Sequence, residues 1–367
     1  MIQIHFDRLR ALGLTPALAQ QAATCTTAPS DHEEDIDLHL MRLTEVHRET
    51  VVLHDGHAEH GARVLPRLVR RLADEATALA VGDWVLAAMP APGRTWVQRR
   101  VPPRSHLARR DADGRRHPVV SNVDTALLVM GLDDDFNPRR LERYLTLVGA
   151  SGVQPVVVLS KADVASCTPG LIDARLQALH ARLPDHVDRH AVDGTSPATA
   201  ALLAPYLGAG QTLVVLGSSG AGKSTLTNTL LGAAVQDTGA VRAHDSRGKH
   251  TTTARSLHLL PGGACIIDTP GLRALRPDLD ADGVAASFGD IDALAQRCRF
   301  RDCSHHSEPG CAVRAAVDAD RLRNYDKLLR EARRDTMSAL ERKRQVAMWK
   351  ARGREAQVRL NAKRGAR

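Results

Sequence analysis

The stretch GSSGAGKST, Gly217 to Thr225, constrains the fold more than any other part of the chain. It satisfies G-x-x-x-x-G-K-[ST], follows the apolar run Thr212–Leu216 and opens the amphipathic stretch TLTNTLLG. Strand, glycine-rich turn and helix in that order build a cradle in which backbone N–H groups and a helix N-terminus face a phosphate. The glycines let the amides turn inward around a β-phosphate. Lys223 is placed to neutralise β- and γ-oxygens, and Ser224 to ligate Mg²⁺. The candidate nucleotide-binding set is therefore Gly217, Ser218, Ser219, Gly220, Ala221, Gly222, Lys223, Ser224 and Thr225.

Strands and helices alternate on both sides of this loop. VDTALLVM, PVVVLS, TLVVLG, SLHLL and ACIID read as strands. RRLERYLTLVGASG, with Leu141, Leu145 and Val148 on one face, reads as a helix, as do IDARLQALHARL and the stretch after the loop. Such alternation implies an α/β domain with a mostly parallel sheet covered on both faces. Downstream, IIDTPG (266–271) is a strand ending in a D-x-x-G arrangement. Asp268 is placed to hold Mg²⁺ through water, and the Gly271 N–H to sense a γ-phosphate. Between the two motifs lies RGKHTTT (247–253). A threonine there, Thr252 being the candidate, can complete the Mg²⁺ shell as in a GTPase switch segment. A threonine run alone is also an ordinary strand face.

VVVLSKAD, residues 156–163, is an apolar strand ending in a guanine-reading pattern of the form N/T-K-x-D, with Ser160 in the first position and Ala162 in the variable one. The Asp163 carboxylate would accept from guanine N1–H and the N2 amino group, neither of which adenine offers. The Lys161 stem would pack along the base. In an ordinary small GTPase the phosphate loop comes first, whereas here this motif precedes it. A parallel sheet is indifferent to the chain order of its strands if the connections can be made, so the arrangement reads as a circular permutation. It places the D-x-x-G region directly ahead of the C-terminal segment.

At 367 residues the chain has room for two or three domains. Residues 1–37 read as an N-terminal arm, with Phe6, Leu9 and Leu12 on one helix face that could equally belong to a core. Residues 38–106 read as short strands of a small barrel, taking ARVLPRLVRRLA among them, and its Arg63, Arg67, Arg70 and Arg71 form a basic face that is either solvated or nucleic-acid-binding. VPPRSHLARRDADGRRHP reads as a connector. Residues 107–275 form the α/β domain, 276–335 a Cys/His-bearing helical module and 336–367 a basic tail that includes Arg342, Lys343, Arg344, Lys350, Arg352, Arg354, Lys363 and Arg364. A net charge of +8 fits a polyanionic partner. No apolar run is long enough to cross a membrane, and the N-terminus lacks a secretory core, so a cytoplasmic location is expected. In a reducing compartment the cluster Cys298, Cys303, His305 and Cys311, spaced C-x4-C-x-H-x5-C, points to metal rather than disulfides. Three thiolates and an imidazole suit a closed structural Zn²⁺ site, with His306 as rival to His305.

Taken together, SNVDTALLV, FNPRRLERYL, LSKAD, GSSGAGKSTLTN, GKHTTT, DTPG and the Cys/His cluster resemble, in order and over most of the chain, the ribosome small-subunit-dependent GTPase A family of circularly permuted bacterial GTPases. The resemblance implies an N-terminal oligonucleotide-binding (OB-like) barrel, a permuted P-loop GTPase domain and a C-terminal zinc module holding one Zn²⁺ on Cys298, Cys303, His305 and Cys311. It implies GTP hydrolysis with Mg²⁺, GTP and GDP as ligands, and a monomer that acts on the small ribosomal subunit and its ribosomal RNA late in maturation. Two departures stand out. Ser160 replaces an asparagine whose amide can brace the phosphate loop, although serine still donates one hydrogen bond. HAVDGTS (190–196) matches the short second base-contacting motif poorly. The residue after Gly271 is Leu272, which cannot orient water as a glutamine would. Water positioning must then come from a partner, a cation or His250, and the resemblance favours His250, with Lys223 and Thr252 completing the catalytic set. The rival readings are a P-loop ATPase or kinase with incidental RNA affinity, against which Asp163 counts, and an RNA binder with vestigial hydrolysis, against which Lys223, Ser224 and Asp268 count.

Overall fold

The computed structural model describes residues 2–25, 37–91, 93–110, 116–232, 255–269 and 281–336. The chain divides into two compact units, Met1–Asp278 and Leu279–Arg367.

In the first unit β1 (Ile2–Gln3) pairs in parallel with β2 (Leu38–Val46). Between them α1 (Phe6–Arg10) and α2 (Pro16–Thr24) follow, the latter with Pro16 in its first turn and the Thr15 hydroxyl accepting from Leu18 N–H at 3.3 Å. Leu9, Leu12, Leu14 and Leu18 are at most 3% exposed, so these helices are part of the core. β3 (Val51–His54) and β4 (Glu59–Val64) continue the barrel, α3 (Pro66–Asp74) crosses it, and β5 (Trp84–Ala91) and β6 (Arg94–Arg100) complete it. The pairings β2–β3, β3–β4, β4–β6, β6–β5 and β5–β2 close a ring in which only β4–β6 is parallel. Closure gives each of these five strands a partner on both sides.

Two stretches differ from the sequence reading. PRLVRRLAD is helix, not strand, because Pro66 presets the first turn and Leu68 and Leu72, four residues apart, bury together while Arg67, Arg70 and Arg71 stay exposed. The expected connector is largely a ribbon, β7 (His106–Arg110) against β8 (Arg116–Ser121), held by mutual pairing and by buried Leu107 and Val120.

The α/β part runs β9 (Thr125–Gly131), α4 (Pro138–Gly149), β10 (Gln154–Ser160), α5 (Ala162–Ala165), α6 (Leu171–His180), β11 (Asp188–Ala191), α7 (Ala198–Leu202), β12 (Thr212–Gly217), α8 (Lys223–Leu231), β13 (Ser256–Leu259) and β14 (Cys265–Asp268). In space the strands lie β11-β10-β9-β12-β14-β13, all parallel except β13. β9 and β12 are buried along their whole length, which accounts for their continuous apolar runs. β13 also pairs with β2 at Ser256 and Glu45, so barrel and parallel sheet form one twelve-stranded sheet. Beside that junction Arg42 is wholly buried. Its guanidinium donates to the Leu12 carbonyl and, at 2.9 Å, to the Asn122 carbonyl, and lies 5.2 Å from the Trp84 ring. It thereby ties the N-terminal segment, the barrel and the start of the α/β part together.

In the second unit α9 (Ala281–Ser287), α10 (Gly289–Ala295), α11 (Ala312–Ala316) and α12 (Ala319–Thr336) pack around Val284, Phe288, Ile291, Val313 and Leu328. Arg321 donates to both Asp290 oxygens and lies 5.3 Å from the Phe288 ring. Among the described residues no helix is long and apolar enough to cross a membrane.

Leu9→Ala is expected to cost about 2–5 kcal/mol, the range for a leucine lost from a packed core. Urea unfolding of the full chain reads this directly, and a loss below about 0.5 kcal/mol would remove the N-terminal segment from the core.

Candidate active site

The phosphate loop leaves β12 at Gly217, level with Val129 of β9. A Cβ on Gly217 would fall 2.3 Å from the Val129 carbonyl oxygen, so only glycine passes this point. At the other end Gly222 adopts φ +86° and starts α8, leaving the helix N-terminus open toward the loop. Lys223 folds back over the loop and donates from Nζ to the Ser218 carbonyl at 2.6 Å. Ser224 and Thr225 are half-buried in the first turn of α8, and Ser219 and Gly220 are exposed at the tip.

Asp268 ends β14, level with Val215 of β12, and is 2% exposed. Burial pushes its carboxyl above the ordinary range, against the opposing charges of Lys223 and His258. Thr269 donates from Oγ1 to the Val215 carbonyl at 2.7 Å and fixes the chain as it leaves the strand. A buried carboxylate held this close to a phosphate-type loop suits a divalent cation. His250, Thr252, Gly271 and Leu272, and the tail from Arg342 onward, lie outside the described residues.

The motif at the end of β10 sits against the phosphate loop. Ser160 is 2% exposed, and its hydroxyl donates to the Ala221 carbonyl at 2.6 Å, so serine supplies a brace to the loop. Lys161 adopts φ +62° and pairs from Nζ with Asp133 Oδ2 at 2.6 Å. Burial works to raise the Asp133 carboxyl, but the Lys161 hydrogen bond and charge hold it below the usual range. Ala162 and Asp163 open α5, with Asp163 exposed. The poorly matching segment HAVDGTS is bonded to this motif: Ala162 N–H donates to the Val192 carbonyl at 3.1 Å and Val192 N–H to the Leu159 carbonyl at 2.8 Å. Thr229 of α8 donates to the Gly194 carbonyl at 2.6 Å. Asp193 Oδ1 accepts from the Thr195 N–H and hydroxyl, at 2.9 and 2.6 Å, and shapes the turn. Asp-Gly-Thr-Ser is turn-forming chemistry, which is the only signal the sequence carries for this loop. Two further residues beside these motifs, Asp133 and Asp135, fall in none of the motifs read from the sequence, since the acidic turn GLDDDF matches no nucleotide-binding pattern. In the structure Asp133 holds Lys161, and Asp135 accepts from the Ser218 hydroxyl at 2.6 Å.

In the second unit the loop between α10 and α11 brings Cys298, Cys303, His305 and Cys311 together, one ligand atom from each lying within 4.8 Å of the others. His305 Nδ1 is 3.7 Å from the Cys298 sulfur and 3.4 Å from that of Cys311, and those two sulfurs are 3.9 Å apart. His306 points elsewhere, 66% exposed and 3.8 Å from Asp326. Glu308 orders the loop, accepting from Ser304 N–H at 2.9 Å and from His306 and Ser307 N–H at 3.0 Å. These hydrogen bonds, led by that from the Ser304 hydroxyl, hold the Glu308 carboxyl well below its usual range. The cluster can hold one metal ion with four protein ligands.

The family model described as RsgA GTPase matches residues 101–277. The chain is 48% identical over 295 residues to the "Small ribosomal subunit biogenesis GTPase RsgA" of Xanthomonas oryzae pv. oryzae (strain MAFF 311018), covering 78% of this chain and 79% of that protein. The protein of the same name from Xanthomonas axonopodis pv. citri (strain 306) is also 48% identical, over 298 residues, with coverage of 79% and 80%. Among solved structures, YjeQ from Thermotoga maritima superposes with a TM-score of 0.57 at 21% identity, covering 80% of this chain and 98% of that one. YloQ, a circularly permuted GTPase, gives 0.56 at 20% identity, covering 85% and 100%. These two likenesses establish the fold, a permuted GTPase domain joined to an N-terminal barrel. With sequence relatives this similar over more than three quarters of both partners, the chain belongs to the RsgA GTPase family.

Proposed function

We propose that the chain hydrolyses GTP in small-ribosomal-subunit biogenesis and that the subunit stimulates the reaction. The observation that carries the reading is the Ser160–Ala221 hydrogen bond: it seats the guanine-type motif on the phosphate loop across 61 residues of chain and against the usual motif order. Asp163, exposed at the start of α5, selects guanine, and the Lys161 stem supports the base. The 192–196 loop, bonded to both Ala162 and α8, is the second wall of the base pocket. Lys223 moves from the Ser218 carbonyl to the β- and γ-phosphates. Ser224, Thr252 and Asp268 would hold Mg²⁺, and the bound ion supplies neutralisation of charge on the transferred phosphoryl group. The Gly271 N–H senses the γ-phosphate, and His250 orients the attacking water in place of a glutamine.

The arginines of α3 and β4 on the barrel, together with the basic tail, serve as ribosomal RNA contacts in this reading, with phosphate charge as the main attraction. The division into 1–37, 38–106, 107–275, 276–335 and 336–367 assigns RNA contact to the flanks and chemistry to the middle. The protein acts as a monomer in the cytoplasm. Zinc is the proposed metal of the Cys/His cluster. A tetrahedron with Zn–S near 2.3 Å and Zn–N near 2.0 Å has S–S edges of about 3.8 Å and S–N edges of about 3.5 Å, close to the separations above. Four protein ligands leave no open position, so the site is structural.

GTP turnover measured with and without purified small subunits tests the main reading. Turnover is expected to be slow alone, to rise strongly with subunits and to lose that gain as salt increases. A salt-insensitive rate unaffected by subunits would refute it.

Asp163→Asn is expected to shift preference from guanine toward xanthine nucleotides, because a carboxamide offers one acceptor and one donor. An unchanged GTP affinity in a fluorescence titration would remove Asp163 from the base pocket.

Elemental analysis is expected to find about one zinc per chain, with Cys303→Ala losing the metal and the fold of its module together. Full zinc retention with normal folding in that variant would rule out the four-ligand site.

A further inference from the structure

The turn after β9, GLDDD (131–135), touches both halves of the nucleotide site, yet none of the motifs includes it. Asp134 is exposed, whereas Asp133 and Asp135 turn inward. The Asp135 side chain is 16% exposed. Its carboxylate accepts the Ser218 hydroxyl at 2.6 Å on Oδ1 and 2.8 Å on Oδ2, the Gly131 N–H at 3.2 Å and Arg140 Nη2 at 2.5 Å. Arg140 is anchored in the first turn of α4. Asp133 Oδ1 accepts from Asp135 N–H at 3.1 Å, and its Oδ2 takes Lys161 Nζ at 2.6 Å. Because the Ser218 carbonyl accepts from Lys223 Nζ, polar contacts run without a break from Arg140 through Asp135 and Ser218 to Lys223.

The phosphate loop is therefore gripped on two flanks. Ser160 at the end of β10 holds Ala221, and Asp135 beyond the end of β9 holds Ser218. The Ser160 bond is neutral. The Asp135 bond is charge-assisted, and bonds of that kind are roughly twice as strong. Arg140 and Lys161 offset the two carboxylates, so the turn presents compensated rather than repulsive charge to an incoming phosphate.

We propose that the Asp133–Asp135 turn is a positioning element of the nucleotide site, with Asp135 setting the phosphate loop through Ser218 and Asp133 setting Lys161. Nucleotide affinity then depends on carboxylates that touch no nucleotide. The Asp133 arm rests on the guanine reading of Ser160–Asp163, while the Asp135 arm stands on the phosphate loop alone.

The test is fluorescence titration of GDP on the full chain, with circular dichroism melts for each variant. Ser218→Ala and Asp135→Asn are each expected to weaken GDP about tenfold, the scale of one charge-assisted hydrogen bond. Ser218→Thr keeps the hydroxyl and is expected to bind GDP several-fold more tightly than Ser218→Ala, and the double variant of Ser218→Ala with Asp135→Asn to be no weaker than the weaker single one, since both remove the same bond. Asp133→Asn acts at the other end, and its loss is expected to add to that of Ser218→Ala. If Asp135→Asn does not fold, the Ser218→Ala and Ser218→Thr pair decides the question alone. The proposal is overturned if Ser218→Ala binds within about twofold of the parent, if Ser218→Thr is as weak as Ser218→Ala, or if Ser218 and Asp135 losses simply add. ADP competition on the parent separates the two readings: displacement equal to GDP would defeat the guanine assignment and leave the Ser218–Asp135 result standing.

Discussion

The close approach of β12 to β9 at Gly217 and Val129 sets the rest of the site. The two residues are level in the parallel ladder, and no side chain fits between them. That contact puts the phosphate loop directly beside the turn leaving β9, and β10 then lies one strand further out. On the other side β14 brings Asp268 level with Val215. Loops from adjacent strands meet at the carboxyl edge of a parallel sheet, which is where ligands bind in open α/β folds. Chain order does not enter this geometry, so the strands ahead of β12 in the chain can serve the same site as those behind it.

Charge at that edge is paired before any ligand arrives. Lys161 meets Asp133, Arg140 meets Asp135, and Lys223 rests on a carbonyl. Asp268 differs from these paired carboxylates: burial favours its neutral form, against the opposing charges of Lys223 and His258. β13, the strand ahead of β14, is bonded both to β14 and to β2 of the barrel. Arg42, also on β2, is bonded to the Leu12 and Asn122 carbonyls and so ties the N-terminal segment and the start of the α/β part to the same strand.

What the sequence by itself determined is the chemistry that sits within short windows. The phosphate loop, the Ser160–Asp163 motif and the Cys/His cluster each lie within a short window of chain, so spacing alone makes them legible as candidates. Alternating apolar runs and amphipathic helices likewise declared an α/β domain. Legibility failed where local pattern and final environment diverge. The α3 stretch is short and dense in arginine, and Pro66 together with the burial of Leu68 and Leu72 distinguishes it from a basic strand. The β7–β8 ribbon looks like a linker because its strands are held mainly by each other. Tertiary structure alone decided the strand order, the antiparallel β13 joining sheet to barrel, the burial of Leu9 and Arg42, and the grip of Ser160 and Asp135 on the phosphate loop. Each of these joins residues far apart in the chain, so it depends on which strands end side by side rather than on the preference of any one segment.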